Sequence, residues 1–160
     1  MRIAGIVRDS IVDGIGIRDV IFVQGCGHHC KGCHNPHTWN YNGGEHWFVG
    51  DIVEELSDSS NDVTISGGEP LDQFASLVSL VKQLNKQGKR IWLYTGNTLT
   101  APISKPYRML APYVDVIVDG KFIEECKNLD LMFRGSTNQR IIDLPKSVKE
   151  NRIVEKVGIV

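Results

Sequence analysis

Cys26, Cys30 and Cys33 place three thiols within eight residues in a Cys-x3-Cys-x2-Cys spacing, and the only other cysteine, Cys126, lies far along the chain. Three soft ligands on one loop suit an iron–sulfur cluster with one iron left open, where a small molecule can bind and react. They suit a Cys3His zinc site equally, because all five histidines (His28, His29, His34, His37 and His46) fall in or just after the same loop. The loop alone does not separate the two. A disulfide framework fits less well: Cys126 alone is left for pairing, and Arg8 and Asp9 interrupt the apolar run that a secretory signal needs. The compartment therefore reads as reducing and the chain as cytoplasmic.

A second motif, Gly67, Gly68, Glu69 and Pro70, combines adjacent glycines that let backbone approach a ligand with a carboxylate able to hold an amino group. Taken singly it reads as a strand-to-helix turn. The elements around it are legible: residues 20–23, 63–65, 91–94 and 114–118 read as strands, with 141–142 a further candidate. Val49, Ile52, Val53 and Leu56 recur at helical spacing, as do Phe74, Leu77, Val78, Val81 and Leu84 before a stop at Gly88. Such alternation predicts a parallel sheet. A closed eight-stranded barrel needs roughly 250 residues, so the 160 here leave room for an open partial barrel or a short doubly wound sheet. The cysteine loop, the Gly67 turn, Thr95 with Gly96, and Asp119 with Lys121 each follow a strand, so all four are expected at the sheet edge where parallel α/β folds place their sites.

Composition sets wider limits. With 41% hydrophobic and 23% charged residues the chain can bury one ordinary core, and residues 1–160 are expected to form a single domain. Its net charge of -1, from 18 basic and 19 acidic residues, gives no reason to expect nucleic acid or an anionic membrane as partner. No apolar stretch approaches a membrane span.

The cysteine spacing together with the Gly67 to Pro70 turn at the next strand's end resembles the radical S-adenosylmethionine superfamily, and the pair is far more specific than either motif. Further segments narrow the resemblance to the activating proteins of anaerobic ribonucleoside-triphosphate reductases: residues 13–18, 25–35, 38–40, 43–44, 92–96, 116–122 and 133–139. Position 34 is His where that family usually has Tyr, which leaves the adenine's stacking partner open, whereas Gly32 suits the group.

The resemblance implies a fold, an activity and a set of site residues. The fold would be an open partial (βα) barrel of the radical SAM type, with about five to six mainly parallel strands. Cys26, Cys30 and Cys33 would hold a [4Fe-4S] cluster whose fourth iron is chelated by S-adenosylmethionine. Gly32, Cys33, His34, Gly67, Gly68 and Glu69 would grip that cofactor. Thr95, Asp119 and Lys121 join the cofactor-binding candidates by their place at strand ends. No catalytic residue is expected beyond these ligands, since the cofactors carry the chemistry. The cleaved cofactor's 5'-deoxyadenosyl radical would generate a glycyl radical on the reductase large subunit, with reduced flavodoxin or ferredoxin as electron donor. Alternatives are activation of another glycyl radical enzyme, or a non-catalytic Cys3His zinc module using a histidine such as His37 to fix a protein-binding loop.

Other residues read more plainly. Asp13 and Arg18 flank two glycines without the third glycine and helix of a dinucleotide fingerprint, so a hairpin turn is expected. Arg134 and Asn138 are candidates for contact with a partner, with surface salt bridging the plainer expectation; Cys126 reads as structural or incidental, and Trp39 and Trp47 as core anchors.

Overall fold

The computed structural model describes residues 1–159. Seven strands are present: β1 (Arg2–Ser10), β2 (Arg18–Val23), β3 (Glu45–His46), β4 (Asp62–Gly67), β5 (Ile91–Thr95), β6 (Val116–Asp119) and β7 (Arg140–Asp143). They make one sheet in the order β3-β1-β2-β4-β5-β6-β7. Four short to medium helices accompany it: α1 (Val49–Glu55), α2 (Phe74–Lys86), α3 (Lys105–Leu110) and α4 (Leu144–Glu150).

The expectation of an open partial (βα) barrel with five to six mainly parallel strands is corrected. The sheet is mixed, with β2-β4, β4-β5 and β5-β6 parallel but β1-β2, β1-β3 and β6-β7 antiparallel. Its outer strands β3 and β7 do not pair with each other, so it does not close. The cause lies at both ends of the chain. β1 enters as a hairpin partner of β2, and after β6 a long loop returns the chain beside the strand it has just left. A hairpin return gives an antiparallel neighbour, whereas barrel growth needs a further helical crossover.

The five expected strands all exist, and the region read as 114–118 begins two residues later, at Val116. β1, β3, α3 and α4 had no such reading. Alternation along the strands then divides the sheet into two faces. Ile21, Val23, Val63, Ile65, Ile91, Leu93 and Ile117 join Ile52, Leu77, Leu80, Leu84, Leu110 and Leu144 in the main core, so the helices cover one face. Trp92, Val116, Val118 and Ile141 belong to a smaller cluster on the other face, with Tyr94 and Phe133 against it. That face is covered by loops, chiefly residues 11–17 and 120–139.

Arg18 pins the first of these loops. It is 1% exposed, donates to Thr64 Oγ1 (2.7 Å), to the carbonyls of Val63 (2.6 Å) and Ile15 (3.2 Å), and lies over the Trp92 ring. Burial pulls its pKa down, and Asp62 opposes that shift. A Cβ at Gly14 would stand 2.7 Å from the Arg18 side chain, so the glycine lets the loop lie flat on it. The predicted turn is present, but its purpose is to seat residues 11–17 on the sheet.

Candidate cluster and cofactor site

The cysteine loop starts where β2 ends. Gly25 N–H donates to the Thr38 carbonyl (2.7 Å) and Cys26 N–H to that of Trp39 (3.1 Å), so the chain leaving the strand is held by the segment that closes the loop. The Gln24 side chain ties the same segment through the His37 (3.1 Å) and Asn40 (2.7 Å) carbonyls. Within the loop, Cys33 N–H donates to the Cys30 carbonyl (3.1 Å), a tight turn that Gly32 allows with φ +72°. Asn35 N–H donates to Cys33 Sγ at 3.3 Å. Burial pushes the Cys26 thiol up, and the N–H groups of His28 and His29 act against that shift. Backbone donors aimed at sulfur stabilise thiolate and cluster-bound sulfur alike.

Cys26, Cys30 and Cys33 all line one cavity of about 670 Å³ on the loop-covered face. Gly67, Gly68, Thr95, Gly96 and His34 line it too, so most of the motifs scattered in sequence do converge. Among the described residues no three His, Cys, Asp or Glu stand where they would share a single metal ion. Thiolates that each hold a different iron of a cluster have no need to. The donor set therefore fits a cluster: three cysteines on one cavity wall, with the Asn35 N–H donating to the Cys33 sulfur.

The two glycines of the turn have a structural task. A Cβ on Gly67 would fall 2.6 Å from Val23 N, and one on Gly68 would overlap the Gly25 carbonyl. Their absence lets Gly68 N–H reach the Val23 carbonyl and Glu69 N–H the Gly25 carbonyl, both at 2.8 Å. The turn and the cysteine loop are thereby fastened backbone to backbone.

Glu69 is 1% exposed, and its carboxylate is fully engaged by the protein. It accepts from Leu71 N–H (3.0 Å), Thr95 Oγ1 (2.9 Å), Gly96 N–H (2.9 Å) and His28 Nε2 (2.9 Å). An ionised carboxylate has about four acceptor positions, so little is left to hold a cofactor amino group. Asp119 is likewise occupied: Arg140 pairs with it (3.0 and 2.5 Å), and Leu99 N–H donates to it at 2.7 Å. Lys121 is exposed, and neither Asp119 nor Lys121 lines the cavity, whereas Gly120 between them does. Gly32 also stays outside, facing Glu124 and Phe122.

Several cavity residues were not singled out as binding residues from sequence. Phe22, Ser66 and Tyr94 reach it from the loop-covered face of the strands; Ile11, Val12 and Asp13 come from the first loop, and Phe122, Met132, Phe133 and Arg134 from the second. Strand alternation was the available signal for the first three. The Tyr94 hydroxyl donates to the Phe133 carbonyl (2.7 Å), which holds the second loop over the sheet. His34 packs against Phe122 with ring centroids 5.1 Å apart. Trp39, read as a core anchor, lines the cavity and stacks on His29 at 4.7 Å. His37, the histidine of the zinc reading, is exposed and not on the cavity wall.

Comparison with known proteins agrees with the donor set. A family model described as a 4Fe-4S single cluster domain matches residues 12–142. The anaerobic ribonucleoside-triphosphate reductase-activating protein of Vibrio cholerae is 38% identical over 142 residues, covering 82% of this chain and 91% of that one. The chain belongs to this family of activating proteins. Its namesakes from Escherichia coli strain K12 (34% identical, 81% and 90% covered) and Enterobacteria phage T4 (40%, 82% and 87%) agree. An activating protein of this family is an enzyme, and the single-cluster domain sets the zinc reading aside. No helix among the described residues is long and apolar enough to cross a membrane.

Proposed function

We propose that Cys26, Cys30 and Cys33 hold a [4Fe-4S] cluster with one open iron, at which S-adenosylmethionine binds, and that the enzyme generates a glycyl radical on the large subunit of the anaerobic ribonucleoside-triphosphate reductase. When bound, cluster and cofactor supply one-electron cleavage to methionine and a 5'-deoxyadenosyl radical that takes a hydrogen from a glycine α-carbon. The chain's own residues bind, orient and exclude water. The observation that carries this reading is the opening of the three cysteines and the Gly67 and Gly68 turn onto one cavity large enough for a cluster and a nucleoside-sized cofactor. Backbone at Gly67 and Gly68, with His34 and Phe122, is the surface offered to the cofactor; Glu69 and Thr95 hold that surface in place. We take the electron to come from a low-potential donor such as reduced flavodoxin or ferredoxin in the cytoplasm, and residues 1–160 to act as one domain.

A macromolecular substrate is supported by the cavity mouth. Ile11 (71% exposed), Val12 (70%), Leu129 (85%) and Met132 (50%) line the cavity and are exposed, and Ile15 and Ile17 are exposed in the same loop as Ile11 and Val12. Exposed apolar side chains gathered at a site mouth suit a protein partner that covers them. Replacing Ile15 and Leu129 by Asp should weaken activation of the reductase by about tenfold or more, as loss of central apolar contacts does. The effect should appear mainly in the reductase concentration needed, while cofactor cleavage without reductase continues.

The direct test uses the reductase large subunit. Mixed with reduced enzyme and S-adenosylmethionine, it should show the doublet of a glycyl radical in electron paramagnetic resonance. Deuterium at the subunit's glycine α-carbons should collapse the doublet and appear in 5'-deoxyadenosine. Cleavage of the cofactor without label transfer would show that the radical has another target.

A further inference from the structure

The contact between His28 and Glu69 joins the middle of the cysteine loop to the ends of two strands, and the cofactor chemistry alone does not call for it. His28 lies between Cys26 and Cys30, its side chain is 17% exposed, and its Nε2 is 2.9 Å from a carboxylate oxygen that is itself buried. The remaining acceptor positions of Glu69 are filled by Leu71, Thr95 and Gly96. An ionised carboxylate only accepts, so Nε2 carries the hydrogen, and the ring's tautomer and tilt are set by that bond. Gly96 makes room for the ring: a Cβ there would stand 2.7 Å from Nε2. The imidazole is thus gripped by β4's exit through Glu69, by β5's exit through Gly96, and by the cluster loop to which it belongs.

We propose that His28 and Glu69 are a pair of positioning residues which clamp the Cys26 to Cys30 span against the ends of β4 and β5, so that the open iron of the cluster faces the cofactor surface at Gly67 and Gly68. The clamp rests on the cluster reading given above. It assigns Glu69 to the protein side of the site. The carboxylate shapes the surface that meets the cofactor by holding Thr95, Gly96 and His28, and its effect on the cofactor is transmitted through them. A buried, fully bonded carboxylate is a rigid anchor because leaving any of its donors unpaired is costly.

Gln and Met are of similar length, but only Gln carries an N–H that can reach Glu69, so His28→Gln and His28→Met isolate the hydrogen bond from bulk. Each variant and the wild type are reconstituted anaerobically. Iron and sulfide content, the paramagnetic signal of the reduced cluster with and without S-adenosylmethionine, and the cofactor's Kd are measured. His28→Met should raise Kd by about tenfold or more, the scale of a lost bond to a charged group, and blunt the cofactor-induced change in the signal. His28→Gln should restore both. If Met costs the cluster itself while Gln keeps it, the clamp is supported at the level of the loop. In a Glu69→Gln background, adding His28→Met should change Kd by less than about twofold, because partners in one interaction are non-additive. A Met variant that matches wild type, a Gln variant as impaired as Met, or full additivity would overturn the clamp. Wild-type protein that takes up no cluster or binds no cofactor would instead overturn the reading beneath it.

Discussion

Cys26→Ala, Cys30→Ala and Cys33→Ala should each reduce cofactor cleavage to background and lower iron and sulfide content, whereas Cys126→Ala should leave both near wild type. The three positions are not interchangeable with anything nearby. Cys26 is buried three residues past the end of β2, and Cys30 and Cys33 share a turn whose backbone bond sets their separation. Of the histidines that could stand in, His28 is committed to Glu69, and His34 packs on Phe122. Cys126 closes a 3-10 turn, Glu124–Cys126, and does not line the cavity. Two thiolates at this loop do not hold a four-iron cluster against water. Colorimetric iron and sulfide assays, with chromatography of methionine and 5'-deoxyadenosine, decide the matter; full iron and turnover in any one loop variant would remove that cysteine from the ligand set.

Gly68→Val is expected to abolish cluster uptake as well as cofactor binding. Its Cβ would overlap the Gly25 carbonyl, and the two bonds beside it, Gly68 N–H to Val23 and Glu69 N–H to Gly25, fasten the turn to the end of β2 and to the residue that precedes Cys26. The displaced atoms are backbone, so relief requires moving the cysteine loop itself. Loss of cofactor affinity alone is what a glycine facing only the cofactor would give. Gly50→Ala in α1 is the matched control, because its Cβ would meet nothing within 4 Å. That variant should keep iron, sulfide and affinity, and gain up to about 1 kcal/mol of stability from helix propensity. Retention of a full cluster in Gly68→Val would show that the two loops are not coupled in this way.

The sequence by itself determined the family of this protein and the candidate ligand set. Ligand type and spacing are local: Cys26, Cys30 and Cys33 lie on one short loop, so their convergence is guaranteed by chain length, and the family resemblance rests on such short blocks. Strands β2, β4, β5 and β6 were also legible, since each is a short β-rich run bounded by turn residues. The closure of the sheet was not. Whether β1 and β7 add parallel or antiparallel depends on how long loops return, and nothing in a strand's own residues encodes its neighbour's direction. Tertiary structure also decided the tasks of the charged residues. Glu69 had looked like a ligand as the carboxylate of the Gly67 to Pro70 motif and Asp119 by its place at a strand end, yet their carboxylates are filled by Thr95, Gly96 and His28 in one case and by Arg140 and Leu99 in the other. Those partners are distant in sequence: Arg140 lies 21 positions after Asp119, and Glu69 lies 41 after His28. A buried carboxylate is available to a cofactor only if the protein has left one of its acceptor positions unfilled, and that balance is struck where chain segments meet.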